Sequence, residues 1–113
     1  MLADMDISPK NPKGGLTLAR VLAILRDEET ALRQRGIVHA GVFGSVARGD
    51  DTPMSDVDIL VEIDYATGFG TIDLMDVEER LAGILGRRVD LVSAGGLRPG
   101  KHDPIRRDAV PAF

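Results

Sequence analysis

Residues 41–63 combine a strand, a glycine turn and a second strand with carboxylates, and this segment constrains the fold more than any other. The apolar run at residues 37–43 predicts a strand buried on both faces, which Gly44 ends. Apolar residues then alternate through a second predicted strand, at Val57, Ile59, Val61 and Ile63. Because side chains two residues apart share a face, Asp56 and Asp58 lie on the opposite face, about 6.5–7 Å apart along the strand. The segment therefore predicts a sheet with one apolar face and two carboxylates on the other.

A third carboxylate, Asp90, alternates with apolar residues in a third predicted strand at residues 88–92. Carboxylates held close together repel each other, so one tends to stay protonated unless a cation lies between them. If Asp56, Asp58 and Asp90 meet on adjacent strands, they provide the oxygen ligands that Mg²⁺ prefers. The pattern indicates a magnesium site. The simpler alternatives are that Asp56 and Asp58 cap a strand from a turn and that Asp90 is a solvated strand residue.

The turn after the first strand has the features of a phosphate-binding site. Gly44 allows the backbone to approach a ligand closely, Ser45 adds a hydroxyl, and the amides at the start of a following short helix point toward an anion. Arg48, one turn later, is placed to contact a phosphate and to balance charge on a leaving pyrophosphate. A surface ion pair between Arg48 and either Asp50 or Asp51 is the structural alternative.

The remaining pattern predicts three helical segments around these strands. Apolar residues recur at helical spacing in residues 17–35 and in residues 71–86, so each segment is expected to form one amphipathic helix. Residues 104–110 can form one or two helical turns before Pro111 ends them. The order helix, strand, strand, helix, strand, helix predicts an α+β (two-layer α/β) fold, a small mixed β-sheet covered by helices on one face.

Composition limits the classes to which the protein can belong. Residues 1–15 are rich in proline and glycine and are predicted to form a flexible tail, which leaves residues 16–113 as one domain. The formal charge of −4 argues against direct nucleic-acid binding, although basic residues outnumber acidic ones between residues 87 and 107. The lack of cysteine excludes disulfides and thiolate chemistry. No apolar run could span a membrane and no signal-peptide pattern is present, so we expect a cytoplasmic protein.

Four segments of the chain occur in an order that is typical of one enzyme family. They read GSVARGDDTPMSDVDILVEI at residues 44–63, FGTIDLMDVEERLAGILG at 69–86, RRVDLVS at 87–93 and DPIRRDAV at 103–110. These segments resemble the G-S-x-A-R-G and S-D-x-D motifs, the following helix, the third acidic strand and the terminal segment of the minimal nucleotidyltransferases, the small branch of the DNA polymerase β-like superfamily. The similarity covers roughly residues 17–110. One departure is Pro111, which interrupts the terminal segment, and this puts the packing of the C-terminus in question.

This resemblance implies a nucleotidyltransferase fold and an enzyme that uses Mg²⁺ and a nucleoside triphosphate, usually ATP. Residue by residue, the match assigns metal binding to three carboxylates, Asp56, Asp58 and Asp90. It assigns triphosphate binding to the motif turn and its arginine, Gly44, Ser45 and Arg48. Asp90 is in addition the expected general base.

The same resemblance implies a protein partner. Such proteins are commonly encoded in prokaryotes beside a helical HEPN protein, the RNase-like toxin of a toxin–antitoxin pair, and serve as its antitoxin. Some members transfer AMP from ATP to a tyrosine of the toxin, so a HEPN toxin in a hetero-oligomer is the expected partner and acceptor. Two alternatives stay open: an antitoxin that acts by binding and occlusion without catalysis, and a transferase that acts on a small molecule or an RNA end. Enzymes of the latter kind generally add a substrate-binding domain, for which this chain has no residues left.

Overall fold

The computed structural model describes residues 16–113, so the tail predicted for residues 1–15 lies outside the described part of the chain. The helices are α1 (Leu18–Asp27), α2 (Glu29–Arg35), α3 (Gly44–Arg48), α4 (Thr71–Leu85) and α5 (Asp103–Asp108). The strands are β1 (Ile37–Phe43), β2 (Val57–Ile63), β3 (Val89–Ser93) and β4 (Val110–Pro111). Two short 3-10 turns follow β2 and β3, at Tyr65–Thr67 and Ala94–Gly96.

The four strands form one mixed sheet in the order β3-β2-β1-β4. β1 pairs antiparallel with β2 on one side and with β4 on the other, whereas β2 and β3 are parallel. A parallel pair needs a long crossover connection, which α4 supplies between β2 and β3. The predicted α+β fold with a small mixed sheet is therefore confirmed.

One face of the sheet holds the hydrophobic core. β2 buries every second residue, at Val57, Ile59 and Val61, and Val42 of β1 is equally buried. Three helices pack their apolar stripes on this face with the following buried residues: Val21, Leu22, Leu25, Leu32, Val77, Leu81 and Leu85. The strand residues between the buried ones point to the opposite face of the sheet, which we call the open face. The polar residues of β2 and β3 therefore lie outside the core.

Residues 17–35 form two helices instead of the single predicted helix. The break is at Glu28, which has φ −92° and ψ 3°, and whose amide donates to the carbonyls of both Ile24 and Leu25. The Glu28 carboxylate also accepts a hydrogen bond of 2.7 Å from Arg80 of α4. The apolar spacing continues across this kink, so hydrophobic periodicity alone does not reveal it.

The first strand and the C-terminal segment also differ from the prediction. β1 was expected to be buried on both faces, but His39 is exposed and Val38 is half-buried near its start. α5 ends at Asp108, and Pro111 belongs to the short edge strand β4, where it pairs with Gly41. Proline is tolerated on an edge strand because its missing N–H removes no bond from the interior of the sheet. Within residues 16–113, no helix has both the length and the apolarity needed to cross a membrane.

Candidate active site

Two of the three predicted carboxylates lie side by side on the open face of the sheet. The register of the parallel pair places Asp58 of β2 opposite Asp90 of β3. Neighbouring strands lie about 4.8 Å apart, and paired residues point to the same face. The next residues along each strand, Ile59 and Leu91, are buried in the core, so both carboxylates point away from it. The predicted proximity of Asp58 and Asp90 follows directly from this register.

Gly44 packs directly against one of these carboxylates. Asp58 lies opposite Phe43, the last residue of β1, so the turn that follows β1 comes next to the Asp58 side chain. Gly44 has a φ of +76°, a left-handed conformation that other residues rarely adopt. A Cβ added at this position would collide with Oδ2 of Asp58. Glycine is therefore favoured here both by the backbone conformation and by the carboxylate beside it.

The charges on this face change the acidity of Asp58. Its burial raises the pKa of the carboxyl above the ordinary value of 3.8. The negative charges of Asp90 and, to a smaller extent, Asp56 raise this pKa further, while the guanidinium of Arg48 opposes the shift. Asp58 thus experiences carboxylate repulsion that Arg48 relieves only in part and that a bound cation would remove.

Asp56 immediately precedes β2, and its carboxylate pairs with an arginine of the same chain. Its Oδ1 accepts a hydrogen bond of 3.2 Å from Nε of Arg88. The Arg88 side chain is 83% exposed, and such surface pairs contribute only about 0–1 kcal/mol. The pair is therefore a weak constraint on the direction of the Asp56 carboxylate.

The donor set fits Mg²⁺ in chemistry, because carboxylate oxygens are the ligands that this hard cation prefers. Asp58 and Asp90 are adjacent, and Asp56 lies two residues before Asp58. Among residues 16–113, however, no three acidic or histidine side chains converge in the arrangement of a metal site. The assignment of all three carboxylates as ligands remains a prediction.

Ser45 and Arg48 lie on α3 beside the carboxylates. Ser45 is half-buried, and its carbonyl accepts the Asp50 amide at 3.0 Å, which closes the turn after the helix. Arg48 forms ion pairs of 3.4 Å with Asp50 and 3.5 Å with Asp108. The surface pair with Asp50, the structural alternative for Arg48, is thus present. The role of Arg48 toward a phosphate remains a prediction.

Sequence reasoning missed a buried ion pair behind the site. Asp51 was considered only as a partner of Arg48, but it pairs with Arg87 at 3.1 Å. Arg87 also donates a hydrogen bond of 2.7 Å to the carbonyl of Ser55, the residue before Asp56. The adjacent like-charged residues 50–51 and 87–88 do not show in the sequence which member of each is exposed, so this contact becomes visible only in the structure.

Comparison with known proteins decides the family. The nucleotidyltransferase domain family matches residues 25–111, which include both carboxylate strands and the glycine turn. The chain belongs to the nucleotidyltransferase family. This confirms the family, the fold and the enzyme class predicted from the motifs.

Relatives of this nucleotidyltransferase match it over most of their length. The protein adenylyltransferase MntA of Thermococcus cleftensis is 38% identical over 96 residues, or 84% of this chain and 95% of that protein. A solved structure described as a minimal nucleotidyltransferase gives a TM-score of 0.71 at 35% identity, over 85% of this chain and 96% of that chain. A chain in the structure of the tri-AMPylated Shewanella oneidensis HEPN toxin in complex with an MNT antitoxin shares the fold, with a TM-score of 0.57 at 19% identity. This match covers 81% of the present chain and 71% of that chain.

Proposed function

We propose that this nucleotidyltransferase transfers AMP from ATP to a tyrosine hydroxyl of a HEPN toxin and thereby acts as its antitoxin. The observation that carries the proposal is the pairing of Asp58 with Asp90 beside the Gly44 turn, at the motif shared with the family. The similarity to a protein adenylyltransferase supports AMP as the transferred group. A complex of an AMPylated HEPN toxin with an MNT antitoxin, which shares the fold, supports the choice of partner.

The positions of the side chains support the following roles. Asp56, Asp58 and Asp90 would hold Mg²⁺, which when bound neutralises the carboxylates and the phosphate charge during transfer. The turn at Gly44 and Ser45 would hold the triphosphate, since it lies directly against Asp58. Arg48, at the end of α3, would contact a phosphate oxygen, in exchange for its exposed ion pairs.

The transfer step makes one bond and breaks one. The acceptor oxygen attacks the α-phosphorus of ATP, and the bond between that phosphorus and the oxygen leading to the β-phosphate breaks, which releases pyrophosphate. The acceptor proton passes to the carboxylate of Asp90, which acts as the general base. Asp90 suits this role because it is the more exposed of the two paired carboxylates and lies on the outer strand.

The small size of the described domain supports an acceptor site that a partner protein completes. A groove of about 250 Å³, lined in part by Gly41, Leu60 and Ala94, includes none of the carboxylates and no residue of the glycine turn. Residues 16–113 are proposed to form one catalytic domain in the cytoplasm, and the toxin would complete its acceptor site in a hetero-oligomer.

The test is the intact mass of the HEPN protein encoded beside this chain after incubation with the chain, ATP and Mg²⁺. The expected result is a gain of one or more AMP units, which fragmentation of the modified peptide should locate on a tyrosine. The double variant Asp56→Asn/Asp58→Asn is the matched control and should give no gain. Transfer that persists in this variant would place the chemistry elsewhere.

Inhibition by binding alone is the second candidate, in which Asp56 keeps its contact with Arg88 and binds no metal. In that case the toxin mass would stay unchanged while a stable complex forms. The double variant would then still neutralise the toxin in cells, whereas loss of neutralisation supports the enzyme. Mass gain on a small molecule or an RNA end in place of the toxin would support the third reading.

A further inference from the structure

The buried ion pair of Asp51 and Arg87 contacts the backbone next to Asp56, one of the proposed metal ligands. Its nitrogen–oxygen distance is 3.1 Å, and the side chains of Arg87 and Asp51 are only 10% and 3% exposed. Asp51 lies in the loop between α3 and β2, whereas Arg87 precedes β3. The pair therefore joins the loop that leads to Asp56 with the strand that bears Asp90.

Arg87 makes a second contact that acts on Asp56 more directly. Its Nη1 donates to the Ser55 carbonyl at 2.7 Å, and Ser55 is bonded to Asp56. The amide of Val57, on the other side of Asp56, donates to the Arg88 carbonyl at 2.9 Å. The backbone on both sides of Asp56 is thus hydrogen-bonded to the segment 87–88 that precedes β3.

Stability alone does not explain this arrangement. Moving two charges out of water is costly, and apolar residues of similar volume often stabilise a fold equally well or better. What an ion pair adds is geometry, since a planar guanidinium binds its carboxylate and a carbonyl in fixed directions. The same guanidinium contacts Asp51 through Nη2 and Ser55 through Nη1.

We propose that Arg87, held by Asp51, is a positioning residue that fixes the backbone of Asp56 relative to Asp90 and so sets the spacing of the metal ligands. The inference rests on the proposed function for its catalytic consequence. Its structural consequence, an ordered backbone at residues 52–58, does not depend on metal or nucleotide.

The test uses two variants of the full chain. Arg87→Met removes both contacts but leaves a buried carboxylate and risks unfolding. Asp51→Leu/Arg87→Met replaces the pair with apolar side chains of similar size, which the fold is expected to tolerate, although it also removes the acceptor of the Leu16 amide at 3.1 Å. Arg80→Met is the control, because it removes another arginine–carboxylate pair, with Glu28, that joins α4 to the break between α1 and α2 and not to the site.

Two measurements separate positioning from simple stabilisation. Hydrogen exchange of the peptide covering residues 52–58, without metal or nucleotide, should become faster in the double variant at unchanged melting temperature. Mn²⁺ affinity should fall on the order of 10-fold, the lower end of the effect seen when supporting residues of metal sites are removed. Arg80→Met should change neither quantity.

The outcomes distinguish this inference from the proposed function. Unchanged exchange and unchanged Mn²⁺ affinity in a folded double variant would overturn the positioning role. A wild-type chain that binds no Mn²⁺ would contradict the proposed metal site instead, and the exchange result would still decide whether Arg87 orders the segment before β2.

Discussion

The most informative substitution is Gly44→Ala, because a matched glycine exists at the other end of α3. Gly44 and Gly49 have φ values of +76° and +80°, so alanine is strained at both positions. The left-handed conformation destabilises an alanine by about 1–2 kcal/mol. Alanine also lowers the conformational entropy of the unfolded chain relative to glycine, which stabilises the folded state by about 0.4–1 kcal/mol. Each substitution should therefore lower the free energy of unfolding by roughly 1 kcal/mol from backbone strain alone, or about 4–8 °C in melting temperature.

The two positions differ in what a methyl group meets. At Gly49 there is no atom within 4 Å of the added Cβ, whereas at Gly44 the Cβ collides with Oδ2 of Asp58. The Asp58 carboxylate must then move by on the order of 1 Å, and a displacement of that size at a reacting centre can cost about 10²-fold in rate. We expect Gly44→Ala to lose on the order of 10²-fold in AMP transfer and Gly49→Ala to stay within about 2-fold of the wild type.

Thermal unfolding, Mn²⁺ titration and the toxin mass assay on both variants check this reasoning. Equal losses of transfer in Gly44→Ala and Gly49→Ala would refute it, because the collision with Asp58 would then have no catalytic effect. So would a Gly44→Ala variant that is destabilised but binds Mn²⁺ and transfers AMP like the wild type.

Three further predictions concern charge and the edge strand. Without metal, Asp58→Asn should raise the free energy of unfolding at neutral pH, because the folded state raises the pKa of Asp58 and so disfavours its charged form. Urea unfolding should show that this gain shrinks as the pH falls toward 3.8, the ordinary pKa of the carboxyl. Arg48→Met removes exposed ion pairs and should change the free energy of unfolding by less than about 1 kcal/mol, while AMP transfer falls at least about 10-fold if this guanidinium contacts a phosphate. The Leu91 amide on the outer side of β3 donates a hydrogen bond of 3.1 Å to the Glu78 carboxylate, which Glu78→Ala removes. This variant should lose about 1 kcal/mol in the free energy of unfolding measured with urea, and Glu78→Gln should restore most of it.

The sequence predicted those parts of the fold in which the local residue pattern is compatible with only one secondary structure and one buried face. Alternation in β2 has period two, so the burial of Ile59 and the outward direction of Asp58 follow without knowledge of the neighbours. The helix α4 likewise follows from its apolar stripe and from the glycine that ends it, Gly86. The pairing of Asp58 with Asp90 needed more than a local pattern, and the resemblance to a known family supplied it.

The parts that the sequence did not predict depend on contacts between distant segments. The kink at Glu28 coincides with an ion pair to α4, and the strand at Pro111 exists because β1 offers a free edge. The partner of Asp51 is 36 positions away in the chain, at Arg87. No spacing rule within one helix or strand identifies such a partner, although the burial of both charges makes it evident in the structure.

The division of the sheet into two faces predicts that the site can be altered without loss of the fold. The core uses the face with Val57, Ile59 and Val61, and the carboxylates of Asp58 and Asp90 lie on the other. Substitution of a carboxylate by its amide therefore removes charge but little packing, so its effect on AMP transfer should greatly exceed its effect on stability. The glycine at the end of β1 is different, because its turn both ends a core strand and contacts a carboxylate. A change at that position alters fold and chemistry together, and the comparison of the two α3 glycines separates these contributions.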